Sequence, residues 1–162
     1  APHDTLCAIN GISENTAVTL KAVIGISHRV LKQGLEGRTV LNSWTSLLDY
    51  CYTTMAHEKK EHFRVFFLNK KNELLADEVQ NSGTVDHTAV YPREIMKRAL
   101  ELGATALVLV HNHPGGDSKP SKMDIDMTRK IVNAGLPFSI EIHDHIIVSR
   151  KGYSSFKSMG LL

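Results

Sequence analysis

The chain has 162 residues, 42% hydrophobic and 22% charged, with a formal charge of +2; that length suits one principal domain plus a small extension. No run approaches the roughly 18 apolar residues that a membrane-spanning helix needs, and so small a charge gives no argument for nucleic-acid binding by itself. Two cysteines, Cys7 and Cys51, lie far apart and outside any C-x-x-C pattern, which argues against a disulfide scaffold or a thiolate zinc knuckle and makes a reducing cytoplasm the expected compartment.

In chain order, residues 1–35 read as helical. Leu6, Ile9, Ile12, Ala17, Leu20 and Ile24 supply the apolar positions, Gly11 a break, and Ser13 or Asn15 a cap. The opening "APHDTLCAIN" lacks the basic region and apolar block of a secretory signal. Gly34 and Gly37 mark a connector, and a second helix is expected from near Ser43 through "WTSLLDYCYTTMAHE". The period then changes. "HFRVFFL" is β-branched and aromatic, "NKKNE" is turn-like, and "LLADEVQNSG" follows as a second strand, so the three predict a hairpin.

"TVDHTAVYPREIMKRALELG" predicts a loop and a helix with Pro92 early and Gly103 beyond its end. "ATALVLVHNH" is a continuous apolar run, as in a strand buried on both faces. "SKMDIDMTRKIVNAG" predicts a capped helix ending at Gly135, "FSIEIHDHIIVS" one or two closing strands, and "GYSSFKSMGLL" a short tail. Strands and helices alternate irregularly. The expected fold is therefore α+β, helices around a mixed sheet, with a helical segment over residues 1–38 and the main domain over 39–162.

Nine histidines are more than usual for this length, and two pairs are spaced one apart, His111/His113 and His143/His145. Residues i and i+2 of a strand face one way, roughly 6.5–7 Å apart along the chain. Imidazoles so placed can converge on one ion at Zn–N distances of about 2.0–2.1 Å. Pro114 and Gly115-Gly116 end the strand there. Ser121-x-x-Asp124 follows, and taken alone it reads first as a helix capping box; its conjunction with the histidine pair is what brings in the ligand reading. If the first turn of that helix folds back over the strand end, Asp124 completes a His, His, Asp set with a fourth position open, the catalytic form of a zinc site. Zinc so held lowers the pKa of its water to about 7. Such a site needs a general base, and Glu61, just before "HFRVFFL", is the candidate; Glu58, Glu73 and Glu78 read more simply as solvated charges. The Ser121 hydroxyl suits donation to an oxyanion.

Glu61, His111-x-His113 and Ser121-x-x-Asp124 together resemble the JAMM (MPN+) signature of zinc metallopeptidases. "GTVDHTAVYPREIMKRALELGATALVLVHNHPGGDSKPSKMDIDMT" is similar to the bacterial RadC proteins, over about residues 39–162. The resemblance implies a cytidine-deaminase-like sandwich around a curved sheet. It also implies His111, His113 and Asp124 as ligands of one zinc ion, Glu61 as acid and base, and Ser121 as oxyanion partner. Gly115 stands where those proteins commonly have Ser, Ser118-Lys119 where Pro-Thr is common, and His143 where an apolar residue is usual. Asp144 and His145 are either supports behind the zinc ligands or a satisfied polar pair at a strand end.

"LCAINGISENTAVTLKAV" resembles part of a helix-hairpin-helix, whose turn amides hold a DNA phosphate; a plain packing element is the other reading. Three functions follow. One is a zinc hydrolase acting on a peptide or isopeptide bond of a protein or peptide substrate. The second is a DNA-associated repair or accessory protein, binding DNA through the N-terminal segment or cleaving a phosphodiester. The third is a metal-free module in which Ser121 and Asp124 only cap a helix. Edge strands in the expected sheet leave room for a homodimer.

Overall fold

In the computed structural model, which describes residues 1–35, 39–40, 44–82 and 90–162, the apolar period changes from helical to extended at His62. Ahead of it lie α1 (His3–Cys7), α2 (Glu14–Gln33) and α3 (Trp44–Met55). Ser13, rather than Asn15, caps α2, its hydroxyl accepting the Thr16 N–H at 3.2 Å. Gly11 turns the chain before it at φ +88°, a conformation that costs glycine little. α3 is described from Trp44; its expected start near Ser43 and the connector glycine Gly37 lie outside the described residues.

The strands are β1 (His62–Leu68), β2 (Leu74–Ser82), β3 (Ala106–Asn112), β4 (Glu141–Ser149) and β5 (Gly152–Ser155). Between them lie α4 (Pro92–Leu102) and α5 (Lys122–Gly135), the latter followed by a short 3-10 turn, Leu136–Phe138. The sheet runs in the order β2-β1-β3-β4-β5. Among the described strands only β3 and β4 pair in parallel; the other pairs are antiparallel. This is the expected α+β arrangement, a mixed sheet flanked by helices and preceded by a helical segment. Among the described residues, no helix is long and apolar enough to cross a membrane.

Both faces of the sheet are covered, which is why β1 and β3 are almost continuously apolar. On one face, Leu47, Tyr50, Cys51 and Met55 of α3 pack on Phe66, Leu68, Val108, Val110, Ile146 and Val148. On the other, Ile95, Met96 and Ala99 of α4 and Ile131 of α5 pack on Phe63, Val65, Phe67, Leu107 and Leu109. Pro92 stands in the first turn of α4, and Gly103 ends it at φ +65°, the expected N-terminal proline and C-terminal glycine. The N-terminal segment is tied to this core. Leu35 is fully buried in the α3-side cluster, Leu31 packs against it, and Lys32 Nζ lies 3.6 Å from the buried Asp77.

Two local features differ from the sequence expectation. Gly152–Ser155, expected in a tail, is a strand: Arg150 and Lys151 form a two-residue turn, Gly152 adopts φ +135°, and Ser149 to Ile146 pair with Gly152 to Ser155. "GYSS" is too polar to announce a strand, yet it covers the outer side of β4. Secondly, the β3–β4 register slips between Leu107/Ile142 and Val108/Asp144, so His143 is an extra, bulged residue. The simple i, i+2 relation between His143 and His145 is thereby broken.

Candidate metal centre

β3 ends at Asn112, its last paired residues flanked by antiparallel β1 and parallel β4. The next element in the chain, α5, starts with Ser121 as its N-cap. Strand alternation sends His111 and His113 to one side, and the first turn of α5 lies against them. His111 Nε2 is 3.0 Å from His113 Nε2 and 3.2 Å from Asp124 Oδ1. His113 Nε2 is 3.5 Å from Asp124 Oδ2. Ligands about 2.0–2.1 Å from a tetrahedral ion stand about 3.3 Å from one another. The three observed edges bracket that value.

The cap and the ligand readings of Ser121-x-x-Asp124 are both satisfied. Ser121 Oγ accepts the Asp124 N–H at 3.2 Å, and Asp124 Oδ2 accepts the Ser121 N–H at 2.7 Å, a complete capping box. The cap fixes the carboxylate against the imidazoles instead of turning it away. Partial burial works to raise the Asp124 pKa, but His111 and His113 outweigh it and hold the carboxyl far below the usual carboxylate range.

The protons can be followed through the site. Thr128 Oγ1 donates to the Asp124 carbonyl at 2.6 Å, so its lone pairs face His145 Nδ1, also at 2.6 Å, and Nδ1 carries the proton. Neutral His145 then offers a lone pair at Nε2 to His111 Nδ1–H, 2.8 Å away. Complete burial first, and then the neighbouring imidazole of His111, hold the His145 pKa well below its ordinary value, consistent with a neutral ring. His113 Nδ1 faces the Asp117 carbonyl at 2.8 Å and must donate to it. In their neutral forms both ligand imidazoles therefore hold their proton at Nδ1. In those neutral forms the Nε2 lone pairs point at each other and at a carboxylate, an arrangement that repels unless a positive charge, a metal ion or an added proton, lies among them. The donor set, its edges and the hydrogen bonds behind it suit a divalent ion such as zinc. His111, His113 and Asp124 form the three-residue group that can hold one among the described residues.

The group opens on a cavity of about 250 Å³ lined by polar Glu61 and Ser121 and by apolar Phe63, Val90, Met123 and Met127. Glu61 is brought there by the pairing of Phe63 with His111 across β1 and β3. Glu58, Glu73 and Glu78 do not line the cavity. Glu58 is exposed near His62, Glu73 accepts from Asn69 at 2.7 Å, and Glu78 is held by Arg98 at 2.7 Å. Phe63 stacks on His111, with ring centroids 6.1 Å apart, and Phe156 on His145 at 4.6 Å.

His145 is thus a support behind His111. Asp144 is not, because its carboxylate accepts from the Ser155 hydroxyl and, at 2.9 Å, from the Lys157 N–H. His143 turns to Asn72 Oδ1 at 2.6 Å and to Glu141, away from the metal group. Two buried participants carried no signal of their own in the sequence, Thr128 and Asn112. Thr128 stands four residues after Asp124, on the same helix face, and that spacing is the one signal that could have found it. Residues 41–161 match the family model described as RadC-like JAB domain.

Proposed function

Since the chain belongs to the RadC-like JAB domain family, which points to a metal-dependent hydrolase, we propose that it uses zinc to cleave a peptide or isopeptide bond. The observation that carries this reading is the convergence of two imidazole Nε2 atoms and a carboxylate at 3.0–3.5 Å. An ion held there supplies Lewis acidity, acidifying water and polarising a carbonyl. Glu61, at the rim of the same cavity, takes the proton from the attacking water and delivers it to the leaving amine. Ser121 Oγ accepts from the Asp124 N–H, so its own proton stays available to donate to the carbonyl oxygen as charge develops there. Phe63, Val90, Met123 and Met127 give the reacting groups an apolar wall, which strengthens these electrostatic contacts.

Elemental analysis of protein purified without added metal tests the ligand set: one zinc per chain is expected, and none in His111→Ala. Glu61→Gln tests the base. It should keep the zinc and lose turnover of a peptide or isopeptide reporter by about 10²–10⁴-fold; normal turnover in that variant removes Glu61 from the role.

DNA contact through residues 1–38 is a second proposal, supported by the left-handed turn at Gly11 before the capped α2. Because Leu35 belongs to the main core, deletion of this segment would damage the fold. Reversing the charges of Lys21 and Arg29 is the sounder test. Weaker, less salt-dependent binding of duplex DNA is expected, and an unchanged affinity counts against contact.

A further inference from the structure

Asn112, the residue between the two ligand imidazoles, is fully buried. Alternation sends its side chain the other way from theirs. There its amide makes two hydrogen bonds to the backbone of the neighbouring segment. Oδ1 accepts the His62 N–H at 2.8 Å, and Nδ2 donates to the Lys60 carbonyl at 2.9 Å. The backbone ladder between β1 and β3 runs from Leu68/Ala106 to Phe63/His111 and stops. The Asn112 amide, with one acceptor and one donor, stands in for the next rung. The residue it brackets is Glu61.

A buried amide that merely finished the sheet could bond any backbone groups within reach. Here both bonds fall on the two residues flanking Glu61, a residue that lines the cavity at the metal group and precedes β1, outside the ladder. We propose that Asn112 is a positioning residue for Glu61: it ties the height of the base along β1 to the ligand pair on β3. The proposal rests on the reading of Glu61 given above. One three-residue run thereby sets both halves of the site, the outer two residues presenting the ion-binding nitrogens and the middle one holding the base at a fixed distance from them. Only asparagine among side chains of this size has the needed pair of functions. Aspartate keeps the acceptor for His62 N–H but faces Lys60 C=O with a second acceptor, and alanine offers neither bond.

The test uses the full chain with and without zinc, comparing wild type with Asn112→Asp and Asn112→Ala. Imidazole 15N resonances of His111 and His113 report the ion, and the Glu61 carboxyl 13C resonance reports the base. In wild type, zinc should move both. In either variant the imidazoles should still respond, while the Glu61 response is lost; in Asn112→Ala, which lacks the acceptor, the His62 amide should also exchange faster. Turnover should fall at least about 10-fold with little change in KM. In a Glu61→Gln background, adding Asn112→Asp should change the residual rate by less than about 2-fold, because residues acting through one another are not additive. A variant that keeps the wild-type Glu61 response and turnover overturns the proposal. So does one that loses zinc along with activity, or whose rate loss is fully additive with Glu61→Gln. Failure of the underlying reading looks different: wild-type imidazoles that ignore zinc, or zinc-loaded wild type that cleaves no peptide or isopeptide reporter.

Discussion

Asp124 accepts the Ser121 N–H at 2.7 Å through Oδ2 while its Oδ1 lies 3.2 Å from His111 Nε2. One carboxylate therefore caps α5 and completes the metal group. Asp124→Asn separates the two tasks, since an amide oxygen still accepts the Ser121 N–H but brings no charge. Zinc affinity should fall at least about 100-fold, while stability of the metal-free protein changes by no more than about 1–2 kcal/mol, the scale of a lost cap. Chelator competition and denaturant unfolding measure the two effects. Equal zinc affinity in the variant would remove Asp124 from the ligand set.

Thr128 determines which nitrogen of His111 is free, acting through His145. Thr128→Val keeps the shape and removes the hydroxyl, leaving His145 Nδ1–H without an acceptor. If His145 moves its proton to Nε2, it confronts the His111 Nδ1–H, and His111 must then carry its proton on the metal side. The expected result is a loss of about 1–3 kcal/mol in stability and about 10–100-fold in zinc affinity, both restored in Thr128→Ser. Wild-type affinity in Thr128→Val would show that the chain of protons does not set the tautomer.

In the zinc-free protein, the pairing of His113 with Asp124 depends on pH from both sides. The Asp124 hydrogen bond raises the His113 pKa, against the opposing effect of burial. A raised folded pKa gives stability that is complete below the unfolded value of about 6.5 and is lost as pH rises through the folded value. Asp124 is shifted down, so its share is complete above about pH 3.9 and fades as pH falls below. The stability difference between wild type and His113→Gln should be greatest between about pH 4 and 6.5 and shrink on either side. Denaturant titrations across that range measure it; a difference that grows above pH 7 would contradict the pairing. Zinc affinity should run the other way, rising with pH as the imidazoles shed protons.

His143 bonds Asn72 and Glu141 and takes no part in the metal group. His143→Leu, the apolar choice at this position, should leave zinc stoichiometry and affinity unchanged and shift stability by about 1 kcal/mol or less. A lost zinc ion in this variant would mean that the bulge in β4 supports the site.

Much of the site was legible because its parts are local. His111-x-His113 needs only strand alternation, and Ser121-x-x-Asp124 only the first turn of a helix. The Pro92 and Gly103 boundaries of α4 follow from what those two residues do to the backbone. β5 was illegible for a related reason: "GYSS" has no apolar alternation, and its pairing is decided by the turn at Arg150-Lys151 and by the partner strand.

Residues four or fewer positions apart sense each other through the backbone, and to that range the amino-acid sequence alone determined most of the elements, the histidine pair of the metal group and the cap that shares its carboxylate. The partners behind them are separated by 34, 17 and 50 positions: His111 with His145, Thr128 with His145, and His62 with Asn112. Those meetings depend on the register of β3 against β1 and β4, on a one-residue bulge at His143, and on how α5 docks across the sheet. A shift of one residue in any ladder would turn every side chain to the opposite face, so only the assembled tertiary structure could decide which histidine backs the metal ligands and which residue holds the base.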